Sequence, residues 1–300
     1  MNRSQRMLEL ASALRPLEVR NYAESRNWQP ISGVPGRQWV LNHGTERLRQ
    51  VQIPMDAGTP GYEEAMLDVV RRFADIESRE PEELLADLQH PDADTLRFRV
   101  VGPETQGGQL SLAADISLRE GARRALLAAA SSVVSPALYH PRLSRSQAEQ
   151  LVRASLAGQT ELGSYVIKIL CPLSAIDEPP ATPTLFDPAP APRSFVRQTT
   201  TLLMRATSDL AGSIEQDSMD ELVRKNREQP TLSWNLCDAL IRMRPDRGRV
   251  DLSVSWAADP SEPPPHDVPV QVSFPSEYFP QIEKLAERLR PPPRRAGPSC

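Results

Sequence analysis

The sequence predicts an α+β fold of two lobes, in which helices pack on small mixed or antiparallel sheets. Several segments repeat apolar residues at three- and four-residue spacing, which is typical of amphipathic helices. Shorter segments alternate apolar and polar residues or form β-branched runs, as strands do. Seven prolines then fall between residues 172 and 192, which excludes a helix or a central strand in that part of the chain.

Residues 1–90 are predicted to form a helix, hairpin, helix unit. Apolar positions recur at helical spacing at both ends of this segment, while two strand-like runs in its middle flank a turn that contains Gly44. Pro81 suits the first turn of the last helix. The predicted elements are helices within 3–26, strands at 38–42 and 48–53, and helices at 62–76 and 81–88.

Residues 95–172 are predicted to add a strand, two helices and a central strand. Ser117 and Glu120 form a capping-box pattern that predicts a helix start at Ser117, and Ser144 with Gln147 predicts the next start. The run 165–170 has few polar residues, which is typical of a strand buried on both faces. The predicted first strand covers 96–101, with a short partner at 109–112.

The proline-rich segment 173–193 is predicted to be an extended linker between two lobes, 1–172 and 194–290. Helical spacing resumes at Ser194, and two alternating strands and a final amphipathic helix complete the second lobe. The last residues, 291–300, are rich in Pro and Arg and are predicted to be disordered. Limited proteolysis is therefore expected to cut first in the linker.

Composition narrows the class of protein. The 300 residues are 39% hydrophobic and 25% charged, which is typical of globular chains. The three cysteines lie far apart without a C-x-x-C pattern, which argues against a zinc ribbon or a disulfide framework and fits a reducing cytoplasm. No apolar run reaches the about 18 residues of a membrane span, and we predict no membrane association, no metal and no cofactor.

Basic residues are almost all arginine, because only Lys168, Lys225 and Lys284 are lysine. A genome rich in G and C explains this bias, and we expect a bacterial source. Charge is uneven along the chain: 56–95 is strongly acidic, whereas the segments on both sides of it carry a net positive charge. Arginines on the two central helices form the predicted partner-binding face, where they can neutralise phosphates or carboxylates. They are Arg119, Arg123, Arg124, Arg142, Arg145 and Arg153.

A polar loop before the central strand is the second candidate site. It combines hydroxyl, amide and carboxylate groups that can line a pocket beside a sheet. Its side chains are Gln159, Thr160, Glu161 and Ser164. Helix capping and turn formation by Gly158 and Gly163 account for the same loop without a function, so no catalytic residue is assigned.

The sequence therefore predicts a non-catalytic binding or assembly component of a bacterial cytoplasmic system. A protein is the first expected partner of the arginine face, and nucleic acid is the second. The alternative is a hydrolase or nuclease with its site in the polar loop 158–164.

Overall fold

Ten α-helices and eight β-strands occur in the part of the chain that the computed structural model describes, residues 3–26, 28–32, 38–43, 50–143, 145–158, 165–176 and 193–290. The predicted α+β class is thus confirmed. The helices are α1 (Arg3–Ser12), α2 (Pro16–Ser25), α3 (Tyr62–Glu77), α4 (Pro81–Leu88), α5 (Leu112–Val134), α6 (Ser146–Ala154), α7 (Phe195–Glu215), α8 (Met219–Glu228), α9 (Trp234–Arg242) and α10 (Phe279–Leu289). The strands are β1 (Trp28–Ser32), β2 (Gln38–His43), β3 (Gln50–Pro54), β4 (Ala93–Val101), β5 (Leu156–Ala157), β6 (Tyr165–Pro172), β7 (Arg249–Ser255) and β8 (Gln271–Pro275).

The chain divides into two compact units that differ from the predicted lobes. Unit 1 contains residues 1–93 and 255–265, and unit 2 contains 94–254 and 266–300. Segments from both predicted lobes meet in unit 2, because its sheet has the order β5-β6-β4-β7-β8. Pairing between strands distant in sequence leaves no local pattern, so the sequence could not predict it. Most of the predicted linker, 177–192, lies outside the described residues, as does the tail 291–300.

Unit 1 packs its helices around a three-stranded antiparallel sheet of order β1-β2-β3. The predicted helices and the two predicted strands are present, whereas β1 was not predicted, since its sequence Trp-Gln-Pro-Ile-Ser contains a proline. Phe73 of α3 is fully buried and its ring centroid lies 5.0 Å from that of Trp28. Aromatic packing between α3 and β1 therefore lies at the centre of this unit.

The first long helix of unit 2 begins earlier than predicted. Ser111 is the N-cap of α5, and its hydroxyl accepts a hydrogen bond from the Ala114 amide. The predicted start at Ser117 and the predicted strand at 109–112 are both wrong, because this single hydroxyl caps the helix without the acidic residue of a capping box. Helix α6 begins at Ser146 and follows Arg145, which makes no side-chain capping bond.

The predicted central strand is confirmed as β6, but one of its faces is less covered than expected. Ile167 and Leu170 are buried, whereas Ile169 is only half-buried. Ile169 pairs with Ala157 of β5, which is only two residues long and forms the edge of the sheet. The strand thus lies one position from the sheet edge.

Helix α5 packs against α9 and carries the loop that joins α5 to α6. Gly121 permits this close approach, because a Cβ at this position would lie 2.9 Å from the carbonyl oxygen of Ala239. Trp234, the first residue of α9, donates its backbone N–H to the Leu138 carbonyl at 2.7 Å. The α5–α6 loop is thereby attached to the start of α9.

Proteolysis within 177–192 should leave two fragments that remain associated. The first fragment carries β4, β5 and β6 and the second carries β7 and β8, which all belong to one sheet. Separation would expose unpaired strand edges and apolar faces to water. We expect two bands in a denaturing gel. In native size-exclusion chromatography we expect a single peak at the elution volume of the uncleaved protein. Two separate native peaks would support the lobes predicted from the sequence and contradict the shared sheet.

None of the helices in the described ranges is both long enough and apolar enough to cross a bilayer.

Candidate functional site

The six predicted arginines fall into two groups with different surroundings. Arg119, Arg123 and Arg124 lie on α5, whereas the other three lie in the α5–α6 loop and on α6. The first group is paired with carboxylates and the second is largely unpaired, so the predicted single face is better described as two surfaces.

Helix α5 carries its own counterions. Arg119 donates to Asp115 at 2.7 Å, and Arg123 donates two hydrogen bonds to Glu120 at 2.9 and 3.0 Å. Arg124 donates to the same Glu120 carboxylate at 2.7 Å. The hydrogen bond from Arg123, followed by that from Arg124, lowers the pKa of Glu120 to about 2. The carboxylate is therefore ionised at neutral pH and compensates much of the charge of this group.

The same helix exposes two large apolar side chains near its start. Leu112 is 75% exposed and Ile116 is 58% exposed. They are four residues apart, and Arg119 continues their row, since residues three or four apart share a helix face. A mixed apolar and ion-paired row is more suited to contact with a protein than with a phosphate backbone.

The loop arginines have no such compensation. Arg142 and Arg145 are exposed, and neither forms an ion pair with any described residue. Arg153 of α6 is 82% exposed and approaches Glu149 only to 3.8 Å. Helix α6 starts directly after Arg145 without a side-chain cap, so its first amides add to the positive potential there. Among the described residues, Arg142 and Arg145 therefore present positive charge without an ion-paired carboxylate, while Glu149 in the first turn of α6 pairs with Arg153.

Two aromatic rings pack together where the loop that carries Arg142 and Arg145 meets the start of α9. The ring of Tyr139 packs edge to face on Trp234, with a centroid distance of 5.6 Å. The guanidinium of Arg290 lies 5.8 Å from the Trp234 ring centroid, within cation–π range. Both aromatic residues are partly exposed. We call Tyr139, Arg142, Arg145, Trp234 and Arg290 the arginine–aromatic surface.

Buried polar contacts hold the loop in place below this surface. The Asn235 side chain accepts from the His140 amide at 2.8 Å and donates to the His140 carbonyl at 3.0 Å. Ser132 Oγ lies 3.0 Å from His140 Nε2. These bonds connect the loop to both α5 and α9. They fix the backbone between Tyr139 and Arg142 in the absence of a ligand.

Ser132 and His140 lie as close together as a catalytic nucleophile and its general base, but they share no other feature of such a pair. Their side chains are 3% and 4% exposed, so a substrate has no access to the hydroxyl. Burial, and then the charge of Arg145, lowers the pKa of His140. The ring is therefore neutral at physiological pH, and the pair serves to hold the loop.

The predicted polar pocket lies outside the described residues, because Gln159, Thr160, Glu161 and Ser164 all fall in the omitted segment 159–164. At its border, the Gly158 amide donates to the Lys168 carbonyl at 2.9 Å.

Unit 1 contains a separate cluster of converging polar groups. Tyr22 donates its hydroxyl to Glu77, with distances of 2.7 and 2.8 Å to the two carboxylate oxygens. Arg79 pairs with Asp87 at 2.5 Å and lies 3.4 Å from the Ser255 hydroxyl. Burial raises the pKa of Tyr22 well above its usual range, so the phenol stays protonated. The cluster therefore connects the two chain segments of unit 1.

Metal and thiol chemistry receive no support from the described part of the chain. Within it, no three His, Cys, Asp or Glu side chains are arranged to hold a metal ion. Cys171 and Cys237 are buried, and burial raises the pKa of each thiol to about 12. Neither thiol is therefore activated as a nucleophile.

Sequence reasoning found Arg142 and Arg145 but missed the aromatic half of the arginine–aromatic surface. Neither Trp234 nor Arg290 was among the predicted site residues. Nothing local connects them with Tyr139. The only available signal was Tyr139 itself, which precedes Arg142 in the same short loop.

Comparison with known proteins gives no significant match to any family model, curated protein or solved structure.

Proposed function

We propose that this protein is a non-catalytic, nucleic-acid-binding component that acts in a reducing cytoplasm and binds phosphates through the arginine–aromatic surface. The observation that supports this function is the exposure of Arg142 and Arg145 without a carboxylate partner among the described residues. Each can release condensed counterions from a phosphate backbone when it binds. Such release favours association most strongly at low salt.

The net charge of −4 does not oppose local binding strongly. At physiological ionic strength, charges beyond about 8 Å are largely screened. A phosphate at the loop therefore responds mainly to the charges close to it, which include Arg142, Arg145 and the start of α6.

The α5 arginines are a poorer phosphate site. Binding of a phosphate to Arg119 or Arg123 competes with Asp115 or Glu120 for the same N–H donors. The gain is therefore offset by the loss of an existing ion pair. The proposed phosphate site is therefore the part of the predicted face that contains Arg142 and Arg145.

The double variant Arg142→Ala/Arg145→Ala should bind a fluorescein-labelled oligonucleotide more weakly than the unchanged protein. Fluorescence anisotropy between about 50 and 200 mM salt should show a flatter dependence of log affinity on log salt, by roughly one unit per lost phosphate contact. The matched control is Arg119→Ala/Arg123→Ala, which removes the same charge from the ion-paired group and should leave the slope unchanged.

Two outcomes would contradict the proposed function. Equal weakening by both double variants would show a dependence on net charge instead of this surface. Absence of binding by the unchanged protein at about 50 mM salt, where electrostatic association is favoured, would exclude nucleic acid. Docking of a protein on the exposed row of Leu112 and Ile116 would then become the working function.

A further inference from the structure

We infer that the arginine–aromatic surface selects single-stranded nucleic acid, by stacking an unpaired base on its aromatic and guanidinium groups. This inference rests on the proposed function and specifies its ligand. It follows from an arrangement that a phosphate site does not need. The loop that carries Arg142 and Arg145 also carries Tyr139, whose partly exposed ring packs on Trp234. The Arg290 guanidinium lies within cation–π range of the same Trp234 ring.

The groups that we infer to stack a base are the partly exposed Tyr139 ring and the exposed Arg290 guanidinium. Tyr139 meets Trp234 edge to face, so the planes of the two rings are steeply inclined, at 73°. The Arg290 guanidinium, a planar cation, lies 5.8 Å from the centroid of the Trp234 ring. Bases in single strands stack on aromatic rings and on guanidinium planes in the same way. In a duplex, paired and stacked bases do not offer these faces.

The phosphates of the same strand have a place next to the stacked base. Arg142 is three residues from Tyr139, so the Cα atoms of the two residues are at most about 10 Å apart. Arg145 then leads into the uncapped start of α6. The surface thus combines base stacking with a row of positive charge, the two features that single-strand binding sites share.

The site is held in its binding geometry by groups that a ligand does not touch. Asn235 makes two hydrogen bonds to the His140 backbone, and Trp234 N–H bonds to Leu138. The conformational entropy of the loop is therefore lost during folding, so binding does not carry this cost. This explains a dense set of buried polar contacts under a loop that has no accessible catalytic group.

The test compares three labelled probes of about 15 nucleotides: a single strand, its duplex, and an abasic single strand that retains only sugars and phosphates. The unchanged protein should bind the single strand most tightly. Tyr139→Leu should weaken single-strand binding by about 5- to 100-fold, as expected for one lost base stack, and should leave the abasic and duplex affinities unchanged. Tyr139→Phe keeps the ring and is the matched control, which should bind like the unchanged protein.

The outcomes separate this inference from the proposed function. Equal affinity for all three probes, reduced by Arg142→Ala/Arg145→Ala but not by Tyr139→Leu, would overturn base stacking and leave phosphate binding intact. Loss of single-strand binding in Tyr139→Phe would also overturn base stacking, because binding would then depend on the hydroxyl and not on the ring. No binding of any probe would overturn both. Circular dichroism spectra of the Tyr139 variants that match the unchanged protein would exclude misfolding as the cause of a loss.

Discussion

Replacement of Arg197 by Met should destabilise unit 2 by about 3 to 5 kcal/mol, as for other buried ion pairs that lose one partner. Arg197 Nε lies 3.0 Å from Asp94 Oδ2, and both side chains are completely buried. The Thr200 hydroxyl donates to the same carboxylate oxygen at 2.7 Å. Met fills a similar volume, but it removes the cation that lies 3.0 Å from this buried carboxylate. Urea denaturation followed by circular dichroism measures the loss.

Helix α7 offers a matched control for this substitution. Arg205 also forms an ion pair, with Asp267 at 2.5 Å, but its side chain is 44% exposed and that of Asp267 is 72% exposed. Arg205→Met should therefore cost less than about 1 kcal/mol, because water and salt screen exposed pairs. A loss in Arg197→Met no larger than in Arg205→Met would show that Asp94 is not held in an apolar interior.

Removal of both buried charges should restore much of the lost stability. Asp94→Leu/Arg197→Met removes both charges of this pair, and apolar replacements of buried pairs are often neutral. Thr200 keeps a hydrogen bond to the Val196 carbonyl at 3.1 Å, so its hydroxyl is not left unsatisfied. A double variant as unstable as Arg197→Met alone would indicate that the volume of these side chains matters more than their charge.

Local patterns were sufficient to predict most helices and strands, but not the grouping of those elements. The spacing of Val69, Val70 and Phe73 predicts the buried face of α3, and all three are buried. Alternation likewise predicts β7, whose Val250 and Leu252 are buried. These signals depend on residues within a few positions of each other.

Features that join distant segments could not be predicted. The pairing of Asp94 with Arg197 and the packing of Tyr139 on Trp234 connect residues about one hundred positions apart, and neither residue type indicates its partner. The assignment of 255–265 to unit 1 likewise depends on contacts with residues that are distant in sequence. The exposed charges of the candidate site were thus visible in the sequence, whereas the packing of Tyr139 on Trp234 depends on the meeting of the loop with α9.

Replacement of Phe73 by Ala should destabilise unit 1 by about 3 to 5 kcal/mol, the usual cost of an aromatic-to-alanine change in a packed core. The Phe73 ring lies 5.0 Å from Trp28 and 5.9 Å from Tyr22, so the variant loses two aromatic contacts as well as buried area. The matched control is Leu17→Ala on α2. Leu17 is 56% exposed, and its truncation should cost no more than about 0.5 kcal/mol.

Hydrogen–deuterium exchange can show which chain segments depend on Phe73. Ala258 belongs to the same apolar cluster, and its amide donates to the Pro91 carbonyl at 2.8 Å. We therefore expect Phe73→Ala to accelerate exchange in α3 and at Ala257 and Ala258 together, because opening of unit 1 breaks both sets of amide hydrogen bonds. Faster exchange confined to α3 would contradict the inclusion of 255–265 in unit 1. Unchanged exchange in both segments would show that Phe73 does not support this core.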